Sequence, residues 1–239
     1  MRNKNMQNTI QLYILIFFIY AVAGWIMESS SISIQNKKFV NRGFLIGPIC
    51  PIYGYGVVLV SLLLKKYQDD IIVTFCMSVI ICGLLEYFTS FFMEKIFKAR
   101  WWDYSDRKFN INGRICLENL VLFGVASCFI IYVTNPFIIE KINLIPNSIQ
   151  QIIISILLVI HITDNIISYK IIFNLKRVST EIKDNTIEIS EKVKNIIHSK
   201  SILHRRLVNA FPNIKERVEF KKWTIKEKLE ELKNEKIIK

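Results

Sequence analysis

Four ionisable side chains fall inside apolar stretches of this 239-residue chain: Glu28, Glu86, His161 and Asp164. In hydrocarbon each costs ~2.5–3.5 kcal/mol on insertion scales, so such a group is expected to face protein and to have a partner. His161, Asp164, Asn165 and Ser168 are spaced i, i+3, i+4, i+7. That spacing puts them on one face of a helix otherwise built of Ile and Leu. Two uses compete for the stripe. One is hydrogen bonding that glues helices together, at under ~2 kcal/mol per contact. The other is the lining of a substrate or proton path.

A second set of polar residues flanks the apolar stretches. Arg42 follows Asn41, and Arg114 follows Asn112-Gly113. Between lie Arg100-Trp101-Trp102-Asp103-Tyr104-Ser105. Trp and Tyr favour the membrane interface, so a simple aromatic belt is one reading. The other is a folded cap in which Arg42, Arg100 or Arg114 pairs with Glu28 and Glu86, with Asp103 in the same network. A third feature is Gly47-Pro48-Ile49-Cys50-Pro51-Ile52-Tyr53-Gly54-Tyr55-Gly56. Two prolines three apart remove two backbone donors, so a continuous helix through Pro51 is not expected. Such a break is either a kinked helix entry or a non-helical stretch lining a cavity. On the second reading Asn41, Pro48, Pro51 and Tyr53 join His161, Asp164, Asn165 and Ser168 along the cavity.

The elements that must position these groups are transmembrane helices. Apolar residues make up 51% of the chain and are bunched in runs of the length that crosses a bilayer. Five spans are predicted: Ile10 to about Glu28, Phe44–Leu64, Ile71–Phe92, about Ile115 to Tyr132, and Ile149–Phe173. The first is too long for a cleaved signal peptide and has no small-residue cleavage site after it. The fold class expected is all-α: a polytopic membrane helix bundle over 1–175, then a basic amphipathic helical tail over 176–239. Lys37, Lys38 and Arg42, then Lys95, Lys98, Arg100, Arg107, Lys108 and Arg114, lie on the same side as the tail. The positive-inside rule makes that side cytoplasmic, in a multi-pass cell-membrane protein with its C-terminus inside.

The net charge of +12 belongs mostly to the tail, which carries more than half of the 32 Lys and Arg. Its expected contacts are the lipid bilayer or acidic partners. Nucleic acid is not expected, because no recognition motif accompanies the charge. Ile182, Ile189, Val193 and Ile196 form a narrow apolar stripe, broken later by Pro212. The stripe either pairs with another helix, in a homo-oligomer or a partner subunit, or lies on the inner leaflet. Interspersed Glu181, Glu188 and Glu191 favour pairing.

The first two spans and the next two read as copies of one hairpin, or as coincidence in a chain of few residue types. Each has a glycine then an acid on its first helix, Gly24 and Glu28, then Gly83 and Glu86. Each connection ends in an Asn-Arg-Gly cluster, Asn41-Arg42-Gly43 and Asn112-Gly113-Arg114. The five cysteines form no CxxC pair, and no metal or cofactor is expected. There is no GxxxxGK[ST], HExxH or GxSxG, so no catalytic residue and no enzyme activity is assigned.

The strings GWIMES (24–29), KKFVNRGFLIGPICPIYGYG (37–56), LEYFTS (85–90), RWWDYSDRKFNINGRI (100–115) and HRRLVNAFPNIKE (204–216) resemble a bacterial membrane family, the CmpB-like ABC-transporter permeases. The resemblance covers most of the chain. It implies a polytopic inner-membrane protein acting as the permease component of an ABC-type transporter, with its P-loop ATPase on a separate chain. It supplies no substrate and no mechanism. From the residues alone, a membrane scaffold or sensor signalling through its tail and an intramembrane enzyme stay open beside the permease.

Overall fold

The computed structural model describes residues 2–97 and 101–181, with side chains over 6–97 and 101–170. The sequence-predicted tail therefore lies outside the described residues from 182 onward, and so does Arg100. What is described is a helix bundle: α1 Arg2–Asn36, α2 Pro51–Leu63, α3 Ile71–Phe97, α4 Leu117–Phe129, α5 Asn135–Asn143 and α6 Asn147–Glu181. A two-residue pair of strands, β1 Asn110–Ile111 and β2 Ile115–Cys116, forms a small hairpin before α4.

Among the described residues four stretches are long and apolar enough to cross a membrane: Met6–Asn36, Ile71–Phe97, Leu117–Asn143 and Asn147–Lys170. The chain is a multi-pass membrane protein. Its burial pattern is inside-out in the way lipid permits. On α3 the buried residues are Thr74, Ser78, Gly83, Glu86, Ser90 and, at its very end, Phe97, while Ile72, Ile80, Leu84, Phe88 and Phe92 are exposed. Small and polar side chains let helices approach and bond to one another, and the large apolar ones face hydrocarbon.

The expected second span departs from a simple crossing. Only Pro51–Leu63 is helical, 13 residues, or about 20 Å at 1.5 Å per residue. Residues 44–50 are irregular and pass between α1 and α6, with Leu45 and Ile49 buried against Phe18, Ala21 and Leu157. The physical cause is the one expected. Pro51 sits at the start of the helix, where its missing N–H costs nothing. Upstream, Cys50 N–H donates instead to the Ala21 carbonyl of α1, at 2.9 Å. So the bundle has four long spans and one short helix fed by a buried non-helical segment.

The fourth span also runs past its expected end. It continues through a π-helical turn, Ile130–Thr134, into α5. Pro136 has no N–H to offer a regular ladder. The wider turn shifts the register, and Asn135 N–H reaches the Ile130 carbonyl five residues back. Asn135 is buried and donates to Ser61 Oγ on α2 at 2.7 Å. Thr134 Oγ1 bonds Tyr20 Oη on α1 at 2.6 Å. Lys141, beyond the expected end of the span, stands in the last turn of α5.

Both hairpins cross through glycines. A Cβ on Gly24 would meet the Tyr53 ring at 2.3 Å, and one on Gly54 the Phe17 carbonyl at 2.5 Å. In the second hairpin Gly83 faces Leu120, and Gly124 faces Phe75 and Val79, all within 3 Å of the would-be Cβ. The reciprocal arrangement is what two copies of one hairpin would share.

Candidate functional site

The end of the bundle that carries the two long connections holds the polar groups. Segment 37–50 is stapled there to the end of α1. Trp25 Nε1 donates to Asn41 Oδ1 at 2.7 Å, and Asn41 Nδ2 donates to the Ile46 carbonyl at 2.9 Å. Val40 and Arg42 N–H groups donate to Ser33 and Ser29 hydroxyls. Gly43 then turns the chain at φ 145°, a conformation few other residues adopt.

From this frame Arg42 Nε reaches Glu28 Oε2 at 3.5 Å, and the Tyr53 hydroxyl donates to Glu28 Oε1 at 2.5 Å. The second connection builds a matching contact. Asn112 and Gly113 both have positive φ, 53° and 64°, and Arg114 N–H donates to the Ile111 carbonyl at 3.0 Å. The two positive φ angles and that bond make a tight turn of the type I′ kind, within the three-residue loop that joins the paired Ile111 and Ile115. Tyr104 N–H and Trp102 Nε1 cap its Gly113 and Arg114 carbonyls, at 2.8 and 3.0 Å. Tyr104 is thereby held so that its hydroxyl donates to Glu86 Oε1 at 3.2 Å. Burial raises the pKa of the Tyr104 phenol, and the adjacent Glu86 carboxyl adds to the rise. The hydroxyl therefore stays a donor. Each acid of the two hairpins is thus met by one tyrosine hydroxyl.

The expected network is only partly assembled. Glu28 and Arg42 pair. Arg114 meets neither Glu28 nor Glu86. Its guanidinium bonds Glu94 Oε2 at 2.8 Å and lies over the Tyr87 and Phe91 rings. Glu94 stands two turns beyond Glu86, level with the turn that bears Arg114. Asp103 accepts from Ser105 N–H and its hydroxyl, at 3.1 and 2.5 Å, shaping its own loop.

These pairs differ in what they contribute. Arg114 is 13% and Glu94 31% exposed, whereas Arg107 and Glu118, bonded at 3.0 Å, are each 62% exposed. Arg114→Ala is expected to destabilise the protein by about 1.5–3 kcal/mol, the range for a hydrogen bond to a charged group. Arg107→Ala should change stability by under about 1 kcal/mol. Denaturation in detergent checks both, and equal effects would count against the difference in burial as the cause.

The stripe on α6 divides in two. Asp164 is the anchor of the irregular segment. Its Oδ1 accepts from Ile46 N–H at 2.9 Å and its Oδ2 from Gly47 N–H at 2.8 Å, and Ser168 Oγ donates to Oδ1 at 3.1 Å. Two consecutive backbone amides thus form a small anion cradle around one carboxylate. Gly47 is needed for the approach, since a Cβ there would lie 2.9 Å from Asp164 Oδ2. Asn165 bonds back to the His161 carbonyl at 2.7 Å, and to its ring at 3.2 Å. His161 stacks edge-on against Phe17 and Phe18. Pro48 is exposed on the irregular segment, and Pro51 opens α2.

Ser33 and Glu94 carry no motif signal, and Trp25, Ser29 and Tyr104 stand in motif strings that give them no partner. Trp25, Ser29 and Ser33 recur every four residues, the signal of a shared helix face that marks them. Among the described residues no group of three or more His, Cys, Asp or Glu is placed to hold a metal ion.

No curated protein and no solved structure matches the chain. A family model described as "Putative ABC-transporter type IV" matches residues 15–169, which takes in both hairpins, the irregular segment and the α6 stripe. That span is more than half of the 239 residues, and the chain belongs to this family.

Proposed function

We propose that the chain is the membrane permease component of an ABC-type transporter and works with a P-loop ATPase on a separate chain. One observation carries the reading beyond the family name. Residues 44–50 are non-helical, lie between α1 and α6 with Leu45 and Ile49 buried, and are pinned by an intramembrane carboxylate. Irregular backbone at membrane depth is tolerated where protein covers it or a cavity adjoins it, and transporters use it at binding sites. The Glu28, Arg42, Tyr53 and Glu86, Tyr104 groups lie at the same end and would form the mouth. That mouth faces the cytoplasm on this reading, because both connections are rich in Lys and Arg. The chain itself then has no catalytic centre, and its apolar flanks would meet lipid or a second copy in a homo-oligomer.

The test is purification of the full chain in mild detergent and identification of what accompanies it. A stoichiometric P-loop ATPase is the expected result. A homo-oligomer with no ATPase, repeated with cross-linking before extraction, removes the ABC part of the proposal.

A further inference from the structure

Glu86 differs from Asp164 and Glu28, the other two acids of the apolar stretches. Asp164 accepts from two backbone amides and a hydroxyl. Glu28 has the Tyr53 hydroxyl and the Arg42 guanidinium. Glu86 is 5% exposed, has one donor on Oε1 from Tyr104, and its Oε2 is buried with no hydrogen-bond partner. Among the described residues, the groups around it do not supply a cation. From α1 comes a second carboxylate, Glu28, within electrostatic reach, with Arg42 bonded to it and Cys50 and Tyr53 beside it. From the connection come Tyr104 and Cys116. On α3 itself Cys82 lies one turn away, and Glu94 two turns away is bonded to Arg114. From α4, Glu118 is bonded to Arg107 at the exposed rim.

An ionised Glu86 would therefore place a bare oxygen charge in a dry interior beside another carboxylate. Leaving a neutral hydroxyl unpaired costs far less than leaving a charge unpaired. The oxygen has almost no accessible surface, so the ligand that reaches it without rearrangement is the smallest cation. We propose that Glu86 is a proton-binding site: its carboxyl takes a proton from water onto Oε2, forming the neutral acid, and returns it to water on release. Tyr104 holds the carbonyl oxygen of that acid and so acts as a positioning residue. The inference does not rest on the permease reading, since it holds equally for a chain that moves no solute.

Infrared difference spectra of the full-length protein in lipid nanodiscs, over a pH series in water and in D2O, test it. The expected result is a protonated-carboxyl C=O band near neutral pH that shifts in D2O and fades as pH rises. It should persist in Glu28→Gln and Asp164→Asn and be lost in Glu86→Gln. No such band in the unaltered protein, or a band that survives Glu86→Gln, overturns the proposal. Should Glu86→Gln fail to fold, Tyr104→Phe decides. It removes the donor to the carbonyl oxygen and should move the band to higher frequency. An unmoved band would place the proton on another acid and overturn the proposal as well.

Discussion

Asp164→Ala is expected to destabilise the bundle by ~2–6 kcal/mol, since two partly buried backbone donors lose their acceptor at ~1–3 kcal/mol each. The donors are Ile46 and Gly47 N–H, and helix geometry offers them nothing else, because residues 44–50 are not helical. In a bundle surrounded by hydrocarbon no bulk water replaces the lost carboxylate. Asp164→Asn keeps one acceptor oxygen and should lie between the alanine variant and the unaltered protein. Ser168→Ala removes one of three donors to Asp164 and leaves the amides satisfied, so its effect should stay near 1 kcal/mol. Detergent unfolding followed by tryptophan fluorescence reads the series, with Trp25 reporting directly on segment 37–50 through its bond to Asn41. An Asp164→Ala protein that unfolds with the unaltered one would show that the cradle contributes nothing.

That prediction separates the two uses of the α6 stripe that spacing alone leaves open. Spacing places Asp164 and Ser168 on one face, and the structure has them bonded to each other. It does not reveal the partner across the interface, because a backbone amide has no residue type to recognise. The break in the second span is legible for the opposite reason. Pro48, Pro51 and Gly47 announce in their covalent structure that a helix ladder must fail. The four long spans are legible because hydrocarbon imposes a length on every crossing, whereas the expected fifth is a 13-residue helix. The end of the fourth span is not, since Asn135-Pro136 reads as a stop until a π-helical turn absorbs it. Charge complementarity was too coarse for Arg114: Glu86 and Glu94 share α3, and only the placement of the turn at Asn112-Gly113 decides for Glu94. Thr74, Ser78, Glu86 and Ser90 stand at multiples of four, so the buried face of α3 was present in the sequence as a stripe of small and polar types.

Two glycines of α2, two residues apart, should respond to alanine in opposite directions. At Gly54 the added Cβ would lie 2.5 Å from the Phe17 carbonyl oxygen and 2.6 Å from its ring. A ring can turn, but a helix carbonyl cannot, so α1 and α2 must separate. Gly54→Ala is expected to cost about 1–3 kcal/mol, as overpacking does. At Gly56 the nearest atom is Leu85 Cδ2 at 3.7 Å, an ordinary contact. There alanine adds helix propensity and should stabilise by up to ~1 kcal/mol. The two variants have the same composition, which removes chain entropy and hydropathy as explanations for any difference. The separation forced at Gly54 also carries Tyr53, its neighbour, away from Gly24 and from Glu28, to which it donates at 2.5 Å. Gly54→Ala should therefore disturb the Glu28 site as well as the fold, whereas Gly56→Ala should leave that site intact. Parallel unfolding curves for the two variants would mean that the helices do not cross where Gly54 and Phe17 meet.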